Sequence, residues 1–238
     1  AAYLAEALGE PAAKAKTYRA RAQELRAAIE KVFGGTISGF ETYRYHEGLT
    51  KLRSWICLPL VMDIHDRVEG TVAALFSPNL WTQDGLLTEV GSTTYWDRST
   101  LYALRGVFRA GKPDEGATYL RRYAERRLLG DHVPYCQEAY PEQNQSHLSA
   151  ESGLYCRIFT EGACGIRPTG FNSFEAVPQI PKSWKRIKLS RIHAFGQVWN
   201  YTASRKGAGI ELVIQDATGK ELYRATKLVG ETHRVSLR

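Results

Sequence analysis

The sequence predicts a mainly α-helical chain with a β tail, and three observations carry that prediction. Up to about residue 167 the apolar residues recur at helical spacing, from about Pro168 their period drops to two, and glycine or proline punctuates the changes between segments. With 238 residues, 43% of them hydrophobic, the chain has enough apolar material for one large packed domain or two small ones. The change of period divides it into a helical part, 1–167, and an antiparallel β domain, 168–238.

The opening AAYLAEALGEP reads as the tail of a helix already under way, with Gly9 and Pro11 supplying a stop and a restart. Tyr18, Ala22, Leu25, Ile29 and Val32 then share one face of the next helix, which makes the opening a helical hairpin. WICLPLVMDIHD predicts a shorter helix with Pro59 in its first turn or at a kink. DRSTLYALRGVFRAG predicts a strong helix capped by Asp97 or Ser99 and stopped by Gly111. Pro113 and Asp114 open PDEGATYLRRYAERRLLG, which Gly130 ends. Ser149 caps a fourth strong helix, SAESGLYCRIFTEGA, whose Leu154, Ile158 and Phe159 face a core. Beyond the extended linker VPQIPKSW, the segments IKLSRIHAFG, VWNYTASRKG, GIELVIQDATGKELYRAT and THRVSLR alternate apolar with polar residues between glycine-containing turns. That is the pattern of antiparallel strands.

Composition narrows the function classes. The net charge of +7 comes from 32 basic and 25 acidic residues, and the basic ones are spread over RARAQELRAAIEK, LRRYAERRLLG and SWKRIKLSR as on solvated faces. With no nucleic-acid signature beside them, a nucleic-acid partner is not expected. No run of eighteen apolar residues suggests a membrane span. Cys57, Cys136, Cys156 and Cys164 form no CxxC pair and have no histidine at zinc-site spacing, so neither metal nor cofactor is expected. Cys156 reads as a small core residue, while a bridge between Cys57 and Cys136 stays open.

The densest group of chemically capable residues is VPYCQEAYPEQNQSHLSAES, Val133 to Ser152. It holds the carboxylates Glu138, Glu142 and Glu151, together with His147, Gln143, other amides, and the aromatics Tyr135 and Tyr140. Carboxylates and amides suit sugar hydroxyls, and aromatic faces suit the apolar faces of sugar rings. Glu151 reads as a carboxylate at a helix start, favoured by the helix dipole. A second group, GLLTEVGSTTYWDRSTLY, puts Trp96, Asp97 and Arg98 where a loop becomes a helix. Asp97 is a cap or a substrate contact. Trp96, with no core stripe to join, is a candidate for stacking on a sugar ring.

The order of these segments, YWDRSTLYALRG, the helix pair joined at AGKPDE, CQEAYPEQNQSHLSAESGLYCR, GIRPTGFNSFEAVPQIPKSW and the β-rich tail, resembles the end of six-hairpin (α/α)6 glycosidases of the α-L-rhamnosidase, trehalase and processing-glucosidase type. The resemblance implies a partial (α/α)6 toroid of helical hairpins followed by a β-sandwich-like domain, acting on a carbohydrate. The helices before the strands are too few to close such a ring, so it also implies further helices from the same or another polypeptide and a general acid upstream of residue 1. Carried over on Gln137-Glu138-Ala139-Tyr140-Pro141, the general base of an inverting hydrolase falls on Glu138, with Glu142 in reserve. Trp96, Asp97, Arg98, Tyr140, Gln143 and His147 then contact substrate. Where the trehalase-like group tends to have Arg-Gly after the Trp, this chain has Asp97-Arg98. Other classes stay open: a phosphorylase using phosphate in place of water, a polysaccharide lyase using Tyr140 or His147 as base, and a non-catalytic scaffold or carbohydrate-binding module.

Overall fold

The computed structural model describes residues 1–129, 139–140 and 149–237. It divides into two compact units, one of Ala1–Glu24 with Ala163–Arg238 and one of Leu25–Gly162. In chain order, the short helix α1 (Ala2–Ala7) turns at Gly9 into α2 (Ala12–Phe33), and Arg19 clasps Glu6 across that turn at 2.7 and 2.8 Å. This is the expected helical hairpin. The face of Tyr18, Leu25 and Val32 nevertheless stays exposed, and Ala15 is the buried residue of α2.

After α2 the chain does something the sequence expectation did not include. Strands β1 (Gly34–Ile37) and β2 (Phe40–Tyr43) form a hairpin whose two-residue loop, Ser38-Gly39, has positive φ at both positions. Such a loop matches the natural twist of paired strands. A 3-10 turn, Ser54–Cys57, runs into α3 (Leu58–Val61) with Pro59 in its first turn, as predicted. Helix α4 (Val68–Leu75) packs so close on β2 that a side chain at Gly70 would strike the backbone of Glu41. Three two-residue strands follow: β3 (Trp81–Thr82) pairs with β4 (Gly85–Leu86), and β5 (Tyr95–Trp96) leads directly into α5 (Asp97–Arg109).

Helix α5 is buried along most of its length, from Asp97 through Leu101, Leu104 and Arg105 to Phe108, and is the axis of the 25–162 unit. Its predicted caps act differently. The Ser99 and Thr100 hydroxyls donate to the Trp96 carbonyl at 3.1 and 2.9 Å, and Asp97, already inside the first turn, makes no capping bond. Gly111, at φ 78°, follows the helix as predicted. Then come α6 (Pro113–Arg127), β6 (Ala139–Tyr140) and α7 (Ser149–Arg157), which continues as a π-helical turn over Ile158–Ala163. In α7 Cys156 is exposed, not a core residue, because the inward face of this segment is taken by Glu151 and Ile158. Cys57 is a free, buried thiol pushed up to about 12 by burial.

In the other unit, β7 (Ile166–Pro168) and β8 (Ser173–Ala176) form a three-stranded sheet with the last strand, β13 (His233–Ser236). Between them lies a four-stranded antiparallel meander of β9 (Arg186–Ala194), β10 (Gln197–Lys206), β11 (Gly209–Asp216) and β12 (Glu221–Leu228). Alternation along β10 and β11 buries Trp199, Tyr201, Ala203, Ile210, Leu212 and Ile214, and Phe174 of β8 stacks on Trp199 at 5.0 Å.

The predicted fold class is therefore corrected. The chain is not a mainly helical partial (α/α)6 toroid with its strands confined to a β-sandwich-like tail; seven helices alternate with several small antiparallel sheets among the described residues, and the 25–162 unit carries three of those sheets. The physical reason is local. The run 34–43 has strand formers on either side of a Ser-Gly turn, and residues 81–96 are rich in Gly, Thr and Ser, so neither stretch propagates a helix.

Candidate functional site

Strand β5 pairs antiparallel with β6, with Tyr95 opposite Tyr140 and Trp96 opposite Ala139. Ala139 and Tyr140, from one of the two segments singled out in the sequence, thus lie beside Tyr95 and Trp96 of the other, at the N-terminal end of α5. A bridge between Leu87 and Tyr95 ties the same strand to the loop before it.

Trp96 is half-buried and meets Trp55 edge to face, ring centroids 5.3 Å apart at 74°. Trp55 in turn leans on Tyr102 at 6.2 Å, and the Arg105 guanidinium lies 5.0 Å from the Tyr102 ring centre. The result is a half-buried aromatic wall of Trp96, Trp55 and Tyr102, the kind of surface on which an apolar sugar face or another ring packs. Trp96 has the partner that sequence spacing could not reveal. Trp55 and Tyr102 went unnoticed because WICLPL and the α5 pattern read as ordinary helix; a tryptophan next to a proline-started helix is the one linear hint.

Beside the wall lie buried charges. Arg98 Nε donates to Glu151 Oε1 at 2.8 Å; Glu151 is 0% exposed in the first turn of α7, and its Oε2 has no hydrogen-bond partner among the described residues. Glu151 is thus more than a helix-start carboxylate, since it anchors the start of α7 to the start of α5. Asp97, 1% exposed, sits 2.9 Å from Arg127 Nη1 and accepts from Nη2 at 3.1 Å. Arg127 also donates to the Asp84 carbonyl at 2.8 Å. Two turns further along α5, Arg105 donates to Glu161 at 2.9 Å while burial pulls its guanidinium below the ordinary arginine range. The expectation that the basic runs lie on solvated faces fails at Arg127 of LRRYAERRLLG, which is buried against the buried Asp97.

Of the predicted site residues, Trp96, Asp97, Arg98 and the backbone of Tyr140 come together around β5 and β6, whereas Glu138, Glu142, Gln143 and His147 lie outside the described residues. Among the described residues no group of three or more His, Cys, Asp or Glu is arranged to hold a metal ion. Neither family models nor curated proteins match the chain, so any assignment of function has to come from the side chains themselves.

Proposed function

We propose that the chain serves in the inverting hydrolysis of a glycosidic bond, with a carbohydrate as substrate and Glu138 as the general base. The observation that supports this is the pairing of β5 with β6, which sets Trp96 beside Ala139, the neighbour of Glu138 in the chain. A site for a sugar needs an aromatic platform next to a carboxylate, and the register joins the segments that hold them. The proposal uses the segment chemistry alone and does not call for a helical ring.

In such a reaction Glu138 accepts a proton from water as the water oxygen bonds to the anomeric carbon. The glycosidic C–O bond breaks, and an acid delivers a proton to the departing oxygen. Acid and base then stand about 6.5–9.5 Å apart, leaving room for the water. Asp97 and Glu151 take neither role, because each is buried against an arginine. Trp96 and Trp55 would hold the sugar ring, and Arg98, its side chain 33% exposed, could reach a hydroxyl while Glu151 fixes its orientation.

The test is kinetic. On an aryl or oligosaccharide glycoside that the chain turns over, Glu138→Gln should lower kcat by about 10² to 10⁴ with little change in KM. Trp96→Ala should raise KM more than it lowers kcat, since stacking serves ground and transition states alike. NMR of the first product should show the inverted anomer. Unchanged turnover in Glu138→Gln would remove Glu138 from the mechanism; an ultraviolet-absorbing unsaturated product would indicate a lyase, and a strict need for phosphate a phosphorylase.

A further inference from the structure

Residues 176–210 include seven Lys or Arg and no Asp or Glu, although acids make up 25 of the 238 residues overall. This stretch folds into β9 and β10, and β9 is the outer strand of the meander, hydrogen-bonded to β10 and to no other strand among the described residues. Lys185, just before β9, and Arg186, Lys188 and Arg191 along it are exposed, and none has a carboxylate within ion-pair distance among the described residues. The other half of the same sheet is neutralised: Glu211 pairs with Lys206 and Arg224, and Glu221 with Arg224.

The register places these cations. Arg186 stands opposite Ser204 and Lys188 opposite Thr202, and because Tyr201 and Ala203 alternate with them on β10 and are buried, the four side chains share the outer face. Ser190 and Arg191 then both fall opposite Asn200, where the register shifts, and the Arg191 amide, at φ 57°, donates to Asn200 Oδ1 at 3.0 Å. Such a bulge re-aims the side chain it carries. Side chains two residues apart on one face of a strand are about 6.6 Å apart, inside the screening length of about 8 Å at physiological ionic strength, so the cations act together. Like charges this close repel one another, and with no acid among them a polyanion relieves that repulsion.

We propose that this edge of the sheet docks a polyuronate, a linear polysaccharide whose sugars carry carboxylates. Arg186, Lys188 and Arg191 match a row of carboxylates, the arginines in bidentate fashion. The Ser204 and Thr202 hydroxyls beside them can both donate to and accept from sugar hydroxyls. A single-stranded nucleic acid would also want rings on which to stack its bases, and the β10 residues across from the cations are Ser204, Thr202 and Asn200. Cations on an outer strand also deter pairing with other strands, but that role by itself calls for no ligand. The docking does not rest on the glycosidase reading, since a chain without catalytic activity would bind in the same way.

Titration of the whole chain into labelled polygalacturonate at low ionic strength tests it, with neutral dextran and duplex DNA as comparisons. Polygalacturonate should bind saturably and more weakly as salt is raised, and dextran should not bind. Changing Arg186, Lys188 and Arg191 together to Gln should lower the affinity about tenfold or more. Changing the exposed Lys16, Lys31 and Arg122 to Gln removes the same net charge elsewhere and should lower it by less than about threefold. Polygalacturonate should also shield Lys185 and Lys188, but not Lys16 and Lys31, from acetylation read by mass spectrometry, a measurement that needs no variant. Equal loss in the two triple variants, no shielding of Lys185 and Lys188, dextran binding as strong as that of polygalacturonate, tighter binding of duplex DNA at equal charge concentration, or no saturable binding of polygalacturonate overturns the proposal.

Discussion

The meander of β9 to β12 and the surroundings of α5 solve the problem of charge in opposite ways. In the meander every second residue faces out, so Lys206, Glu211 and Arg224 pair on the surface while Trp199, Tyr201, Leu212 and Ile214 fill the interior. The Tyr201 hydroxyl, buried with them, donates to the Cys164 carbonyl at 2.9 Å. Around α5 the interior holds Asp97, Arg105, Arg127 and Glu151 instead. Buried ion pairs give back in Coulomb energy roughly what they lose in desolvation, so they add little net stability; what they supply is a fixed geometry, because any other arrangement strands a charge. The buried charges cluster around α5, beside the β5–β6 pairing, and not in the meander.

The largest effects should come from opening each core. Arg127→Leu, which removes the arginine facing the buried Asp97 carboxylate, should cost about 3–5 kcal/mol in urea denaturation, and Asp97→Leu added to it should recover much of that loss. Trp199→Ala in the meander should also cost about 3–5 kcal/mol, but as a cavity that no charge substitution repairs. If the Arg127 variant is nearly neutral, the two regions do not differ as described.

Next comes an acid sensitivity of the β unit, which has a buried histidine of its own. His233, 1% exposed and in contact with the Tyr223 hydroxyl at 3.1 Å, is held down to about 4 by burial and then by the charge of Lys227, against the opposing pull of Glu231. The unfolded chain takes up this proton near pH 6.5 and the folded one only near 4, so stability should fall as pH drops through that window and level off below it. His233→Gln should flatten the slope in denaturation measured from pH 7 to 4.

Smallest is Glu151→Gln, expected to cost about 1–2 kcal/mol, because Arg98 is 33% exposed and water replaces part of what it loses. A carboxylate acting through the helix dipole alone would be worth only about 0.3–1 kcal/mol. Denaturation of the Glu151→Gln and Arg98→Gln variants with their double mutant measures the coupling directly.

Much of the secondary structure was legible. The starts of α5 at Asp97, α6 at Pro113 and α7 at Ser149, and the strands from Arg186 onward, follow from proline and glycine punctuation and from the change of period. The 34–43 hairpin was equally legible in its Ser-Gly turn between Thr-Ile and Phe-Glu-Thr-Tyr, but an order of segments resembling a helical toroid drew the expectation toward helix. Segment order is a statement about lineage of pattern, whereas the toroid is a statement about packing, and the packing here is different. At the candidate site, Trp96 stood out in the sequence; its ring partner Trp55 did not, since a contact across 41 positions leaves no periodic trace.

The sequence by itself determined the local events: where helices stop, where alternation makes strands, and which segments carry carboxylates and rings. These depend on backbone preference and near neighbours, which a linear string displays. Only the tertiary structure decided that Asp97 faces Arg127 and does not cap its helix, that Glu151 holds Arg98, and that β5 lies against β6. Each of those depends on which distant groups share a low-dielectric interior, and the cost of burying a charge is settled by the whole surrounding shell, not by the residue that bears it.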